Sequence, residues 1–202
     1  MAGNIGYVRR LRERLEGAKL LHGRRKKLTN SATCHTFAVN AGLVPREPLR
    51  TIPDKRRHLY VTEEIATILD GVPAPTHFAA GLANAKITAF LAGRMMAVSR
   101  EDRKWKKHHE PDLVKLVGHD EVWELCFRVP APGWRLFGRF LERGVFVGLV
   151  LIDRHEVAGR HDEIAELVKS RWSSKLPHLD PISSTDLDDY VGWVWRNVDE
   201  VE

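Results

Sequence analysis

Arginine and histidine side chains are concentrated between residues 128 and 161 of this chain. Those predicted to lie around one sheet are Arg128, Arg135, Arg139, Arg154, His155, Arg160 and His161. Histidine titrates near neutral pH and can act as general base or acid, whereas arginine binds phosphate oxygens in a bidentate manner. Such a set could cut RNA without a metal, because the ribose 2′-hydroxyl attacks the adjacent phosphate while fixed cations stabilise the developing charge. The spacing alone favours a simpler interpretation, in which these are surface charges bordering a sheet.

Three consecutive strand-like runs position most of these residues. They span residues 121–129, 133–141 and 144–152. In the first run Trp123, Leu125 and Phe127 share one face, as alternation along a strand requires, and residues 130–133 and the pair Arg143-Gly144 supply reversals. The third run is apolar on both faces, which is typical of a central strand. The pattern predicts an antiparallel meander that ends in the charged loop after Asp153.

Helices are predicted on both sides of this meander. Residues 58–61 read as a short strand, and Thr62 is a suitable N-cap for a helix with Glu63 and Glu64 in its first turn. A longer helix is predicted from Thr76 to about Val98, and a closing helix over residues 162–172. The fold class predicted from these elements is α+β, with two helices on a curved antiparallel sheet of about four strands.

Charge is unevenly distributed and suggests three regions. Residues 1–60 carry fourteen Lys/Arg against four Asp/Glu, and residues 176–202 carry seven Asp/Glu against one Arg. We therefore predict a basic, partly helical extension (residues 1–55), a central domain (residues 56–174) and an acidic, Trp-containing tail (residues 175–202). The basic extension indicates a polyanionic partner such as RNA or the ribosome, or is a solvated arm without one. The tail could cover a basic surface or mediate self-association.

Several function classes are not expected. No run of 18 apolar residues is present, so we predict no membrane span and a cytoplasmic location. Cys34 and Cys126 are too few for a disulfide framework and form no zinc pattern. The histidines lack zinc-protease spacing, and no phosphate-binding glycine loop occurs. We expect neither a metal nor another cofactor.

The order of elements resembles the RelE/HigB/ParE toxin superfamily, and most closely its phage-derived HigB-like branch. The resemblance covers residues 57–172, and it is carried by Leu59-Tyr60-Val61-Thr62-Glu63-Glu64, Val114-Lys115-Leu116, Val122-Trp123-Glu124-Leu125, Gly133-Trp134-Arg135-Leu136-Phe137, the apolar run ending at Ile152 and Lys169-Ser170-Arg171.

This resemblance implies a RelE-like fold and a ribosome-dependent mRNA endonuclease that a partner antitoxin holds inactive. In the family an arginine at the position of Arg135 helps to bind the scissile phosphate, and a basic loop follows the last strand, here at Arg154. We therefore expect His155, His161 and Arg135 to be catalytic. The residues expected to bind substrate are Arg128, Arg135, Arg139, Arg154 and Arg160. The alternatives are a non-catalytic module that binds RNA, the ribosome or a protein, and a ParE-like inhibitor of gyrase.

Overall fold

The computed structural model describes residues 31–49, 51, 55–72, 75–100, 110–192 and 195–197. The chain divides into two compact units, Met1–Thr33 and Cys34–Glu202, and the described residues lie almost entirely in the second. The helix predicted near residues 5–21 and the basic block at residues 24–27 lie outside the described residues.

Six helices and eight strands make up the described part of the chain. In chain order they are α1 (Ser31–Asn40), β1 (Val44–Pro45), β2 (His58–Val61), α2 (Glu63–Leu69), α3 (Ala80–Leu91), β3 (Met96–Ser99), β4 (Leu113–Lys115), β5 (Trp123–Phe127), β6 (Trp134–Glu142), β7 (Val145–Asp153), α4 (Arg154–Val157), α5 (His161–Lys175), α6 (Asp188–Val191) and β8 (Trp195–Asn197).

All eight strands form one mixed sheet in the order β1-β2-β7-β6-β5-β4-β3-β8. The meander β5–β6–β7 is antiparallel, as predicted, and β4 continues it. Parallel pairs join β2 to β7, β3 to β4 and β3 to β8. The two long strands, β6 and β7, therefore lie near the middle of the sheet and are flanked on both sides.

Helices cover both faces of the sheet, because alternate side chains of the central strands are apolar on each side. On one face α2 and α3 pack over a cluster that includes Trp123 and Phe140. On the other face α1 and α5 pack over a cluster that includes Phe137 and Val147. The apolar character of β7 on both faces, read from the sequence, is explained by this double covering.

Two helices predicted from the sequence, those after Thr62 and over residues 162–172, are present in the structure. Thr62 caps α2, and its side-chain oxygen accepts a hydrogen bond from the backbone N–H of Ile65 at 3.4 Å. The closing helix is present as α5, although it extends to Lys175. The described part of the predicted tail is packed on the sheet, since Leu187, Tyr190 and Val191 are buried in the core of the α2–α3 face.

The predicted RelE-like fold, with two helices on a four-stranded antiparallel sheet, is wrong. The sheet is mixed and has twice as many strands, and helices lie on both of its faces. One reason is visible after α3: the long helix predicted to reach Val98 ends at Leu91, and Gly93 adopts a left-handed conformation with φ of 68°. The chain then turns, and Met96–Ser99 becomes a strand instead of a last helical turn.

None of the described helices combines the length and the apolar character that crossing a membrane requires.

A glycine substitution tests the close approach of β6 and β7. A Cβ at Gly138 would lie 2.8 Å from the carbonyl carbon of Val147 and closer still to its oxygen, so Gly138→Ala must push the two central strands apart. We expect it to lower the free energy of unfolding by at least about 2 kcal/mol, as measured by urea denaturation. The matched control is Gly81→Ala in α3, where an added Cβ meets nothing within 4 Å. It should stabilise by up to about 1 kcal/mol. Equal stability of the two variants would contradict this packing.

Candidate anion-binding site

Arg135, the arginine expected to bind the scissile phosphate, is buried in the sheet. It is 4% exposed, and its Nε lies 2.5 Å from Oε1 of Glu124, which is itself 8% exposed. Its Nη1 also donates a hydrogen bond to the carbonyl of Trp134 at 3.0 Å. A buried guanidinium with a carboxylate beside it is an internal ion pair. In this structure Arg135 stabilises the fold and does not reach a surface ligand.

Arg139 and Arg128 also interact with other residues of the fold. The guanidinium of Arg139 lies over the ring of Trp172 in α5, 5.5 Å from its centroid, and donates to the carbonyl of Asp120 at 2.6 Å. Burial lowers the pKa of Arg139. Arg128 is half-buried, lies 3.1 Å from a carboxylate oxygen of Glu110 and donates to the carbonyl of Pro111.

The four remaining predicted residues share one surface segment at the end of β7. Arg154 and His161 are half-buried there, whereas His155 and Arg160 are exposed. Asp153 caps α4, because its Oδ1 accepts a hydrogen bond from the backbone N–H of His155 at 2.8 Å.

This segment is not strongly positive. The Nε of Arg160 lies 3.0 Å from the carboxylate of Glu163. Four carboxylates occupy the same short stretch as the two arginines: Asp153, Glu156, Asp162 and Glu163. The seven predicted residues are therefore divided between the interior and one surface segment, and they do not form a single phosphate-binding face.

Both cysteines are free thiols buried in the fold. The Sγ of Cys34 donates to Oε2 of Glu142 at 3.0 Å, and burial, with a smaller effect of Glu142, raises the pKa of Cys34 to about 12. Burial also raises the pKa of Cys126. Both thiols stay protonated at neutral pH and are poor nucleophiles. Among the described residues no group of three or more His, Cys, Asp or Glu side chains is arranged to hold a metal ion.

A second group of arginines, which the sequence did not single out, surrounds a small cleft of about 130 Å³. We call it the arginine cleft. Its lining residues are Arg56, Arg57, Gly93, Arg143, Gly144, Val191 and Gly192. Arg56 and Arg143 are exposed, whereas Arg57 is only 2% exposed. Two arginines thus lie toward solvent, and the third lies on the inner side.

Backbone hydrogen bonds join the four segments that form the arginine cleft. The N–H of Arg56 donates to the carbonyl of Leu91 at 2.9 Å and ties the start of β2 to the end of α3. The N–H of Gly144, in the turn between β6 and β7, donates to the carbonyl of Tyr190 in α6 at 2.6 Å. The N–H of His58 donates to the carbonyl of Gly144 at 2.7 Å. The cleft is therefore built on main chain that the fold holds in place.

Glycines let the arginine side chains lie directly on this main chain. A Cβ at Gly93 would lie 2.7 Å from Cβ of Arg56, and a Cβ at Gly192 would lie 3.9 Å from Nε of Arg143. Both glycines have positive φ, 68° and 76°, where other residues are strained. Gly93 thus serves two purposes, since it allows the turn and leaves room for Arg56, whereas Gly192 is required for its backbone conformation alone.

Arg57 connects the cleft to the core. Its Nε donates to the carbonyl of Val191 at 2.8 Å, its Nη1 donates to the carbonyl of Arg94 at 2.9 Å, and its guanidinium lies 5.4 Å from the ring centroid of Phe90. Burial lowers the pKa of Arg57 to about 10, so the group is still charged at neutral pH. The described residues that line the cleft include three arginines and no acidic side chain.

Sequence reasoning missed this site because its residues are far apart in the chain. Arg56 and Arg57 counted only toward the basic N-terminal region, and Arg143-Gly144 was recognised only as a reversal between strands. The available signal was the Arg143-Gly144 turn, which does not by itself indicate that this turn meets the segment of Arg56 and Arg57.

No family model, curated protein or solved structure matches this chain. The function must therefore be argued from the geometry of the molecule, and the toxin assignment stays a prediction.

The internal role of Arg135 can be tested by removing one partner of its ion pair. Arg135→Met should lower the free energy of unfolding by about 3–5 kcal/mol, because it leaves the Glu124 carboxylate buried and unpaired. The double variant Arg135→Met/Glu124→Leu should recover most of that loss. Arg160→Met, which breaks an exposed pair, should change stability by less than about 1 kcal/mol. Urea denaturation measures all three. If Arg135→Met leaves the free energy of unfolding unchanged, the Arg135 side chain is not a structural ion-pair partner.

Proposed function

We propose that this protein binds RNA in the cytoplasm through the arginine cleft and the basic chain that leads to it, and that it does not cut the RNA. The observation that carries the proposal is the convergence of three arginines from separate parts of the chain on a cleft without an acidic lining residue among those described. Fixed, clustered cations are the groups that bind phosphates.

The distribution of charge supports a polyanion as the partner. Arg56 and Arg57 belong to the same region, residues 1–60, that holds fourteen Lys/Arg against four Asp/Glu. Two of the three cleft arginines thus belong to the most basic part of the sequence. A chain with net charge of +5 attracts nucleic acid over a range set by the salt concentration.

The chemistry of the lining supports binding without cleavage. Cleavage at a ribose needs a general base and a general acid near neutral pKa. The described lining residues are arginine, glycine and valine. Arginine stays protonated at neutral pH, and the other two have no titratable side chain. The described lining therefore offers cations for phosphate and holds no group that would accept the proton of the 2′-hydroxyl.

RNA affinity and its salt dependence test this proposal. The full-length protein should bind single-stranded RNA, and log K should fall linearly with log salt. Arg56→Gln and Arg143→Gln should each weaken binding about fourfold at 0.15 M salt and flatten that slope by roughly 0.7, the contribution of one single-strand phosphate contact. Both side chains are exposed, so the variants should fold. The matched control is Lys175→Gln, another exposed cation, which should leave both quantities unchanged.

Two results would contradict the proposal. One is RNA affinity that does not respond to Arg56→Gln or Arg143→Gln. The other is equal affinity for an acidic polypeptide of the same charge, which would indicate a protein partner instead of RNA. Duplex DNA and duplex RNA of the same sequence, measured in parallel, define which nucleic acid is preferred.

The second candidate is a metal-independent mRNA endonuclease that acts as the toxin of a toxin–antitoxin system. The observation that favours it is the accessibility of the two predicted catalytic imidazoles, since His155 is exposed and His161 half-buried on one surface segment. Accessible histidines can exchange protons with a substrate. In this case the ribosome would present the mRNA, and an antitoxin protein would block the segment.

Mapping of mRNA ends after expression, with and without a translation inhibitor, separates the two candidates. We expect no new ends, because no general base is found among the described residues of the cleft and the histidine segment carries carboxylates as well as arginines. New ends that depend on translation and disappear in a His155→Ala/His161→Ala double variant would instead establish the endonuclease. The double variant should keep the RNA affinity of the wild type if the arginine cleft is the binding site.

A further inference from the structure

We propose that the contact between His35 of α1 and Tyr60 of β2 is a pH-sensitive switch, which holds α1 on the sheet at neutral pH and loosens it in mild acid. The Nδ1 of His35 lies 2.9 Å from the hydroxyl oxygen of Tyr60, and the centroids of the two rings are 5.8 Å apart. His35 is exposed, whereas Tyr60 is only 2% exposed. A proton from solvent therefore reaches the imidazole, and its effect falls on a buried hydroxyl.

The hydrogen bond depends on which of the two groups carries the proton. Burial, with smaller effects of Cys34 and Glu47, raises the pKa of Tyr60 to about 12, so its hydroxyl stays protonated at neutral and acid pH. Among the described residues this hydroxyl has no hydrogen-bond partner besides His35, so Tyr60 donates to the bare Nδ1 of a neutral imidazole. Protonation of His35 turns Nδ1 into a donor. The buried O–H of Tyr60 then loses its acceptor, which is unfavourable.

The two carboxylates on this side of the sheet already have other partners. Both carboxylate oxygens of Glu47 accept hydrogen bonds from Nζ of Lys55, at 2.9 and 3.1 Å. Oε2 of Glu142 accepts the Sγ–H of Cys34 at 3.0 Å. In the described part of the chain neither carboxylate forms an ion pair with His35. A positive charge on His35 is therefore not stabilised by a direct partner.

A second histidine increases the sensitivity of this contact to acid. His58 lies two residues before Tyr60 on β2, so the two side chains are on the same face. Burial, with smaller effects of Lys55 and His35 and an opposing effect of Glu47, lowers the pKa of His58. The folded state thus binds this proton less readily than the unfolded chain does. The stability that His58 contributes is complete above about pH 6.5 and is lost as the pH falls below that value.

Few other contacts hold α1 in place. Between residues 34 and 40 only Cys34 and Ala38 are buried, and both pack in the cluster that includes Tyr60. A helix of ten residues is marginal without tertiary packing. At α1 the chain also passes from the compact unit Met1–Thr33 into the unit Cys34–Glu202, and residues 1–33 carry nine Lys/Arg against two Asp/Glu. Loosening of α1 in acid therefore loosens the attachment point of a basic segment.

Hydrogen exchange of the full-length protein at pH 7.5 and pH 5.5 tests the switch, since histidine changes its charge between these values. Rates are normalised to the intrinsic rate at each pH. The reporters are the backbone N–H groups of Ala41, Gly42 and Leu43, which donate to carbonyls of α1. Their protection should fall at least about fivefold at pH 5.5, the equivalent of one lost hydrogen bond. Protection of β6 should stay unchanged.

Two variants assign the response to the proposed contact. His35→Asn places a carbonyl oxygen near the position of Nδ1, where it accepts from Tyr60 but does not titrate, so protection should stay high at pH 7.5 and lose most of its pH dependence. Tyr60→Phe removes the hydrogen bond and should lower protection about fivefold already at pH 7.5. The matched control is His155→Asn, at an exposed histidine after β7, which should retain the full response of the wild type.

Three outcomes would overturn the switch. One is equal protection of the reporter amides of the wild type at the two pH values. Another is a response that His35→Asn leaves unchanged, because the sensitivity would then reside in another group such as His58. The third is an equal loss of protection in β6, which would show that acid destabilises the whole domain and does not act on α1.

Discussion

The candidate site depends on the hydrogen bonds that the buried guanidinium of Arg57 donates to the main chain. Arg57 lies just before β2, and its side chain donates hydrogen bonds to the carbonyl of Val191 at the end of α6 and to that of Arg94 after α3. Burying an arginine is costly unless its donors are satisfied, so these segments must meet around it. The packing of Phe90 beneath the guanidinium adds an apolar support. A cleft with a cation on its inner side follows from this arrangement.

The same residue type has two different roles in this fold. Arg135 and Arg139 lie on a central strand that helices cover. Arg135 forms an ion pair with Glu124, and Arg139 packs on the ring of Trp172. Arg56 and Arg143 lie at turns where the chain enters or leaves strands, and they stay exposed. Loops are free to present charged groups because the sheet beneath them is rigid. The position of an arginine relative to the covered sheet therefore decides whether its side chain is buried in the fold or exposed at the surface.

Much of the local structure was predictable from the sequence. The cap at Thr62, the meander over β5 to β7 and the closing helix depend on short-range patterns, in which turn residues and alternation act within a few positions. The strands at Met96–Ser99 and Trp195–Asn197 were not predictable in the same way. They are short, and each becomes a strand by pairing with a partner that is distant in sequence. Pairing of this kind has no local signal, so the RelE-like interpretation underestimated the sheet.

The sequence by itself determined the α+β class, the two-sided burial of β7 and the basic character that points to a polyanion. Tertiary structure alone decided which arginines are buried and which are exposed. Arg135 and Arg56 are both arginines beside turns in the sequence, yet one pairs with Glu124 inside the sheet and the other lies on Gly93 at the surface. The physical reason is that burial and pairing of a charge depend on which segments meet. That depends on strand order, and strand order is a long-range property of the chain.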